Sequence, residues 1–123
     1  MKLVPLLGTV ALVGVIVQVI LGLEITGAGL DNFIMPHVLI GILGLIIIIV
    51  LVITAFRAKT ATIYSKLIIT ILTIVVLLQV DLGFQLLQGA DAMIPSHEAN
   101  GFLILILTVM MGAVTMQNAR KQP

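Results

Sequence analysis

Four long apolar runs, residues 3–23, 37–56, 66–84 and 97–116, limit what this chain can fold into more than any other feature. Each is close to the 20 or so residues that a helix needs to cross a hydrocarbon core about 30 Å thick. Lipid offers no partner for backbone N–H and C=O groups, so runs of this length must be helices. Ile and Val crowd the second run, but burial in lipid overrides their strand preference. Composition agrees: 61% of the residues are hydrophobic and 9% charged, where a soluble domain carries roughly 25% charge. A soluble globule and a disordered chain are excluded. A net charge of +1 gives no footprint for phosphate backbones, so no nucleic-acid partner is expected. The chain has no cysteine, which removes disulfides, thiolate metal sites and a cysteine nucleophile. The expected fold is an all-α membrane protein, a four-transmembrane-helix bundle forming one domain over residues 1–123 with the lipid bilayer around it.

The charges set an orientation. Lys2, Arg57, Lys59, Lys66, Arg120 and Lys121 all fall at one end of the spans, and Glu24, Asp31, Asp81, Asp91 and Glu98 at or near the other. Bases are retained on the cytoplasmic side, so both termini and the short 57–65 connection should be cytoplasmic in a multi-pass plasma-membrane protein. A single Lys precedes the first run and no small-residue cleavage site follows it, so this run reads as a retained span, not a signal peptide. The connections 24–36 and 85–96 then face outward. They contain Leu30, Phe33, Ile34, Met35, Leu86, Leu87, Met93 and Ile94, enough apolar content to expect them to fold back as lids.

The sequence also repeats itself. The run from Gln18 to Gly22 (QVILG) returns from Gln79 to Gly83 (QVDLG), and Gly29, Asp31, His37 and Gly41 return as Gly89, Asp91, His97 and Gly101. Each unit, about 3–56 and 66–116, is an outgoing helix, a loop and a returning helix that opens with histidine. Two spans per unit give both units the same orientation, related by a pseudo-two-fold axis along the membrane normal. That axis sets His37 and His97, the only histidines, at equal depth near the outer face.

A lone histidine at the edge of a span is more often an interfacial group bonded to water or a carbonyl. Two at equivalent positions point to ligation. Neutral imidazole suits Zn, Cu, Ni and haem iron. A bare Zn or Cu site wants three or four ligands, which Asp31, Asp91 or Glu98 would have to complete. Haem needs only two from the protein, one on each face, and so fits a two-fold pair best. Gly41 and Gly101 lie one turn deeper than the histidines on the same helix face, where a missing side chain makes room for a flat macrocycle. Gly22 and Gly83 read equally as close helix packing or as part of the site. Gln18 and Gln79 should point inward, because a lipid-facing amide is costly. Asp31, Asp91 or a loop carbonyl is the expected acceptor for the ring Nδ1–H groups. Asp81, whose repeat partner is Ile20, is a candidate for proton coupling or quinol contact.

The pattern Gln-Val-x-Leu-Gly, a glycine-bearing outer loop and His-x-x-x-Gly resembles the haem A synthase family over residues 18–41 and 79–101. The chain matches in size one four-helix half of that family. The resemblance implies that His37 and His97 are the axial ligands of one b-type haem. The family's catalytic half carries a glutamate shortly before its first histidine, and outer-loop cysteines are common in it. Here Phe33, Ile34, Met35 and Pro36 precede His37 and no cysteine occurs, so the resemblance implies a shared cytochrome scaffold more than a shared reaction.

The expected function is therefore electron transfer by a bis-histidine haem b, with quinol or an external donor on one side and a partner oxidase or reductase on the other. A haem-modifying enzyme is the lesser expectation. The alternatives are a quinol-linked oxidoreductase, a divergent haem A synthase-like enzyme, or a haem-free accessory or assembly subunit. Gly14, Gly44 and Gly112 would permit a homodimer.

Overall fold

A computed structural model describes residues 3–58 and 61–120. Four helices account for nearly all of them: α1 (Leu3–Ala28), α2 (Ile34–Arg57), α3 (Ile63–Leu87) and α4 (Ile94–Arg120). At 1.5 Å per residue, 24 to 27 residues make rods about 36–40 Å long, longer than the hydrocarbon core. All four are long and apolar enough to cross a membrane, and no strand occurs among the described residues. The fold is an all-α membrane four-helix bundle.

At the histidine end all four helices continue several residues beyond the apolar runs. This overturns the expectation of lids. Ile34 and Met35 belong to α2, Leu86 and Leu87 to α3, and Ile94 to α4, so they extend the rods instead of forming loops. The α1–α2 and α3–α4 connections shrink to a turn each, closed by single 3-10 turns at Asp31–Phe33 and Asp91–Met93. Just before each turn the chain takes a positive φ, +65° at Gly29 and +86° at Gly89, a conformation that side chains resist and glycine adopts freely. The two glycines are repeat partners, so the same turn is built twice. At the opposite end of the bundle, Thr62 caps α3: its hydroxyl oxygen accepts from the Ser65 N–H at 3.2 Å, satisfying one of the free donors of the first turn.

Each helix packs on two neighbours, in the circular order α1, α2, α3, α4 and back to α1. Neither diagonal, α1 with α3 or α2 with α4, is in direct backbone contact. The arrangement has the expected pseudo-two-fold character, with α1 facing α3 and α2 facing α4 across the centre.

The packed core is not centred along this axis. Ile48, Leu51 and Ala55 of α2 meet Ile69, Leu72 and Val76 of α3 in the inner and middle sections, joined by Ile104 and Met111 of α4 and Ala11 of α1. Nearer the outer end, no described apolar side chain of α1 after Ala11 or of α2 before Ile48 is fully buried. Most large apolar side chains outside the core point outward, for example Leu77 at 54% exposure and Ile106 at 57%, as a lipid-facing surface requires. Lipid supplies no drive to bury one apolar group against another, so shape fit in the core supplies the cohesion. Leu72 is fully buried. Leu72→Ala should therefore cost about 2 kcal/mol through the cavity it leaves, and Leu77→Ala less than about 0.5 kcal/mol. Denaturant titration of the purified protein in mixed micelles would check both values.

Candidate functional site

Where the apolar core stops, a polar cluster fills the centre of the bundle. α2 and α4 each open with a 3-10 turn and carry a proline, Pro36 or Pro95, in the first helical turn, where a missing N–H costs nothing. His37 follows Pro36 directly and His97 follows Pro95 after Ser96, and both rings turn inward. Although α2 and α4 lie on a diagonal, the two imidazoles meet across it: their centroids are 5.9 Å apart, with planes inclined at 57°. The repeat thus brings together the residues it was expected to bring together.

Imidazoles bound on opposite sides of one metal at about 2.0–2.1 Å have centroids roughly 6.3 Å apart, and at a tetrahedral angle about 5.1 Å apart. The observed 5.9 Å lies between the two values, and His97 Nε2 is directed at Gln79 Nε2. No group of three or more His, Asp or Glu residues that could hold a metal occurs among the described residues, so the carboxylates proposed to complete a bare metal site do not join the pair.

Both histidine Nδ1 atoms are buried and have no hydrogen-bond partner. Asp31, Asp91 and the loop carbonyls therefore do not play the orienting role expected of them. Both aspartates are exposed and lie in the 3-10 turns. The short turns that replaced the lids cannot carry these carboxylates back over the rings.

The glycines serve the site, but in the opposite pairing to that read from the sequence. A β-carbon on Gly22 would lie 3.5 Å from His37 Cε1, and one on Gly83 would lie 3.2 Å from His97 Cε1. The outgoing helices thus seat the imidazoles through the glycines that could have been simple packing. The space beside Gly41 and Gly101 is taken by glutamine amides: Gln18 Nε2 would be 2.7 Å from a β-carbon at Gly41, and Gln79 Nε2 would be 3.5 Å from one at Gly101. Gln18 and Gln79 do point inward, as their desolvation cost demands.

One residue escaped the sequence reading. Asn100, 8% exposed, lies one turn beyond Ser96 on α4 and donates from Nδ2 to the Val75 carbonyl at 2.9 Å and to Gln79 Oε1 at 2.7 Å. Gln79 Nε2 in turn lies 3.1 Å from His97 Nε2. The first repeat has Ile40 at the equivalent place, and there Gln18 Oε1 is buried without a partner. The missed signal was this departure from the repeat, an asparagine in an apolar run.

Comparison with protein-family models, curated proteins and solved structures finds no match. The functional reading therefore rests on the geometry of the cluster.

The remaining acids lie outside the cluster's centre. Asp81 is exposed and accepts from Gln85 Nε2 at 2.8 Å, so it faces away from the histidines and does not line the site. Glu98 accepts from the Thr26 hydroxyl at 2.7 Å, which ties the outer ends of α1 and α4 together.

The residues fit a planar group held from both faces. Two imidazoles approach from diagonal helices whose backbones do not touch. The section they occupy lacks a packed apolar core, and glycines back both rings. Gln79 Nε2 stands on His97 Nε2, and a metal bound at that nitrogen would have to displace it.

Proposed function

We propose that this chain is a membrane-embedded b-type cytochrome, with one haem held between His37 and His97 near one end of the bundle and used to transfer electrons. The observation that carries the reading is the diagonal imidazole pair with centroids at 5.9 Å, within the range that two nitrogen ligands of one metal can span. When bound, a six-coordinate haem supplies a one-electron couple with little ligand rearrangement. The chain's own part is ligation by His37 and His97, seating of the rings by Gly22 and Gly83, and exclusion of lipid and water by the four helices.

The charge distribution supports a sidedness. Arg57 and Lys66 lie at the end opposite the histidines; Lys2, Lys59 and Lys121 lie outside the described residues but belong to the same end by sequence. Under the rule that bases stay cytoplasmic, both termini are cytoplasmic and the haem lies towards the outer face of the plasma membrane. A site confined to one face suits electron relay along that surface, from quinol or an external donor to an oxidase or reductase.

One observation favours a haem-free accessory role instead. The Gln79–His97 hydrogen bond already gives one candidate ligand a partner. An absorption spectrum of protein purified from haem-replete cells separates the two readings. The cytochrome reading expects a Soret band, sharp α and β bands on reduction, and one haem per chain. A protein that stays colourless and takes up no added haem removes it.

A further inference from the structure

We infer that Asn100 is a positioning residue which, through Gln79, holds His97 as the tautomer protonated on Nδ1, with its Nε2 lone pair ready for a metal. Amide orientations and imidazole tautomers are settled by the groups they face, and here the chain of contacts begins at a group that cannot be reversed. The Val75 carbonyl only accepts. It therefore fixes the NH2 end of Asn100 towards α3, at 2.9 Å. The same NH2 group, with its second hydrogen, meets Gln79 at 2.7 Å, so the Gln79 atom there must be the carbonyl oxygen. Turning the Gln79 amide around would set donor against donor. With Oε1 committed, Nε2 of Gln79 faces His97 Nε2 at 3.1 Å and donates to it. His97 Nε2 then carries a lone pair and the ring proton sits on Nδ1, a buried atom with no hydrogen-bond partner of its own.

This inference gives detail to the haem reading and in its functional sense rests on it. Ligation through Nε2 requires a bare Nε2 and a proton on Nδ1. His97 meets both conditions before any metal arrives, so ligation there displaces an amide hydrogen bond without moving a proton. The first repeat has no such device: Ile40 replaces the asparagine and Gln18 Oε1 remains without a donor. The two halves are therefore inequivalent as ligand holders although their histidines are symmetric.

The test uses haem-free protein labelled with 15N-histidine in micelles, in which ring-nitrogen shifts separate protonated from bare nitrogens. A His37→Ala sample assigns the signals. The expected result is a single His97 form with Nε2 bare and Nδ1 protonated, which becomes a tautomer mixture in Asn100→Leu and in Gln79→Leu, with helicity by circular dichroism unchanged. Haem titration of Asn100→Leu should give a dissociation constant raised about two- to fivefold, in proportion to the fraction in the competent tautomer, with the spectrum still low-spin. A His97 protonated on Nε2, or a tautomer mixture in the unsubstituted protein, overturns the inference even if neither variant folds. A locked Nδ1–H form in a protein that never takes up haem upholds the tautomer assignment and removes the cytochrome reading.

Discussion

Replacing either His37 or His97 with alanine is expected to abolish the low-spin haem spectrum while leaving the bundle intact. In the proposed site each imidazole would contribute one of the two ligands, and no group of three or more His, Asp or Glu occurs among the described residues to supply another. The neighbours of His37 and His97 at this level are amides and glycines, so truncation leaves a gap near the centre of the bundle and does not disturb the core at Ile48, Leu51 and Leu72. Haem retained by the other histidine would be five-coordinate and high-spin, with a blue-shifted and broadened Soret band. Imidazole added to the His97→Ala protein should enter the gap and restore the low-spin spectrum. That rescue separates a ligand from a residue that merely packs. Equal low-spin spectra for the variants and the parent would show that the ligands lie elsewhere.

The second large effect is expected at Gly83. A β-carbon there already lies 3.2 Å from His97 Cε1, and the branched side chain of Gly83→Val would add two methyl groups against the ring. Overpacking of this kind costs about 1–3 kcal/mol, equivalent to a roughly 5- to 150-fold loss of haem affinity if the strain is relieved by displacing the imidazole. Gly22→Val should act in the same direction but less, because the corresponding distance to His37 is 3.5 Å. Gly14→Val and Gly44→Val are the controls, since nothing lies within 4 Å of either position. Haem titration of all four variants, with protein yield measured alongside, checks the order Gly83, then Gly22, then the controls. Equal losses at all four positions would indicate a general helix defect and not a seat for the ligand.

The parts of this molecule legible in its sequence are those written as long-range patterns. Four apolar runs specify four spanning helices because lipid admits few alternatives for a backbone. The recurrence of QVxLG and HxxxG specifies two equivalent hairpins, and equivalence alone is enough to set His37 against His97. Local outcomes were less legible. Helix ends depend on capping and turn geometry; Gly29 and Gly89 close the turns so tightly that Ile34, Leu86 and Ile94 are drawn into helices. The pairing of glycines with histidines depends on how far one helix is rotated against its neighbour, which spacing along a single helix does not determine. Gly22 and Gly83 therefore back the rings across a helix interface, while Gly41 and Gly101 face glutamines. Asn100 was hidden for another reason: its importance lies in a contact to Val75 and Gln79 on α3, more than 20 residues away in sequence.

Electron paramagnetic resonance of the oxidised protein at liquid-helium temperature tests the central claim most directly, because the signal reports the ligands of the iron itself. Two nitrogen ligands on one haem predict a low-spin ferric signal in the unsubstituted protein, integrating to one spin per chain and lost in both His37→Ala and His97→Ala. A high-spin signal near g = 6 in the parent, a low-spin signal that survives either substitution, or no haem iron at all would contradict it.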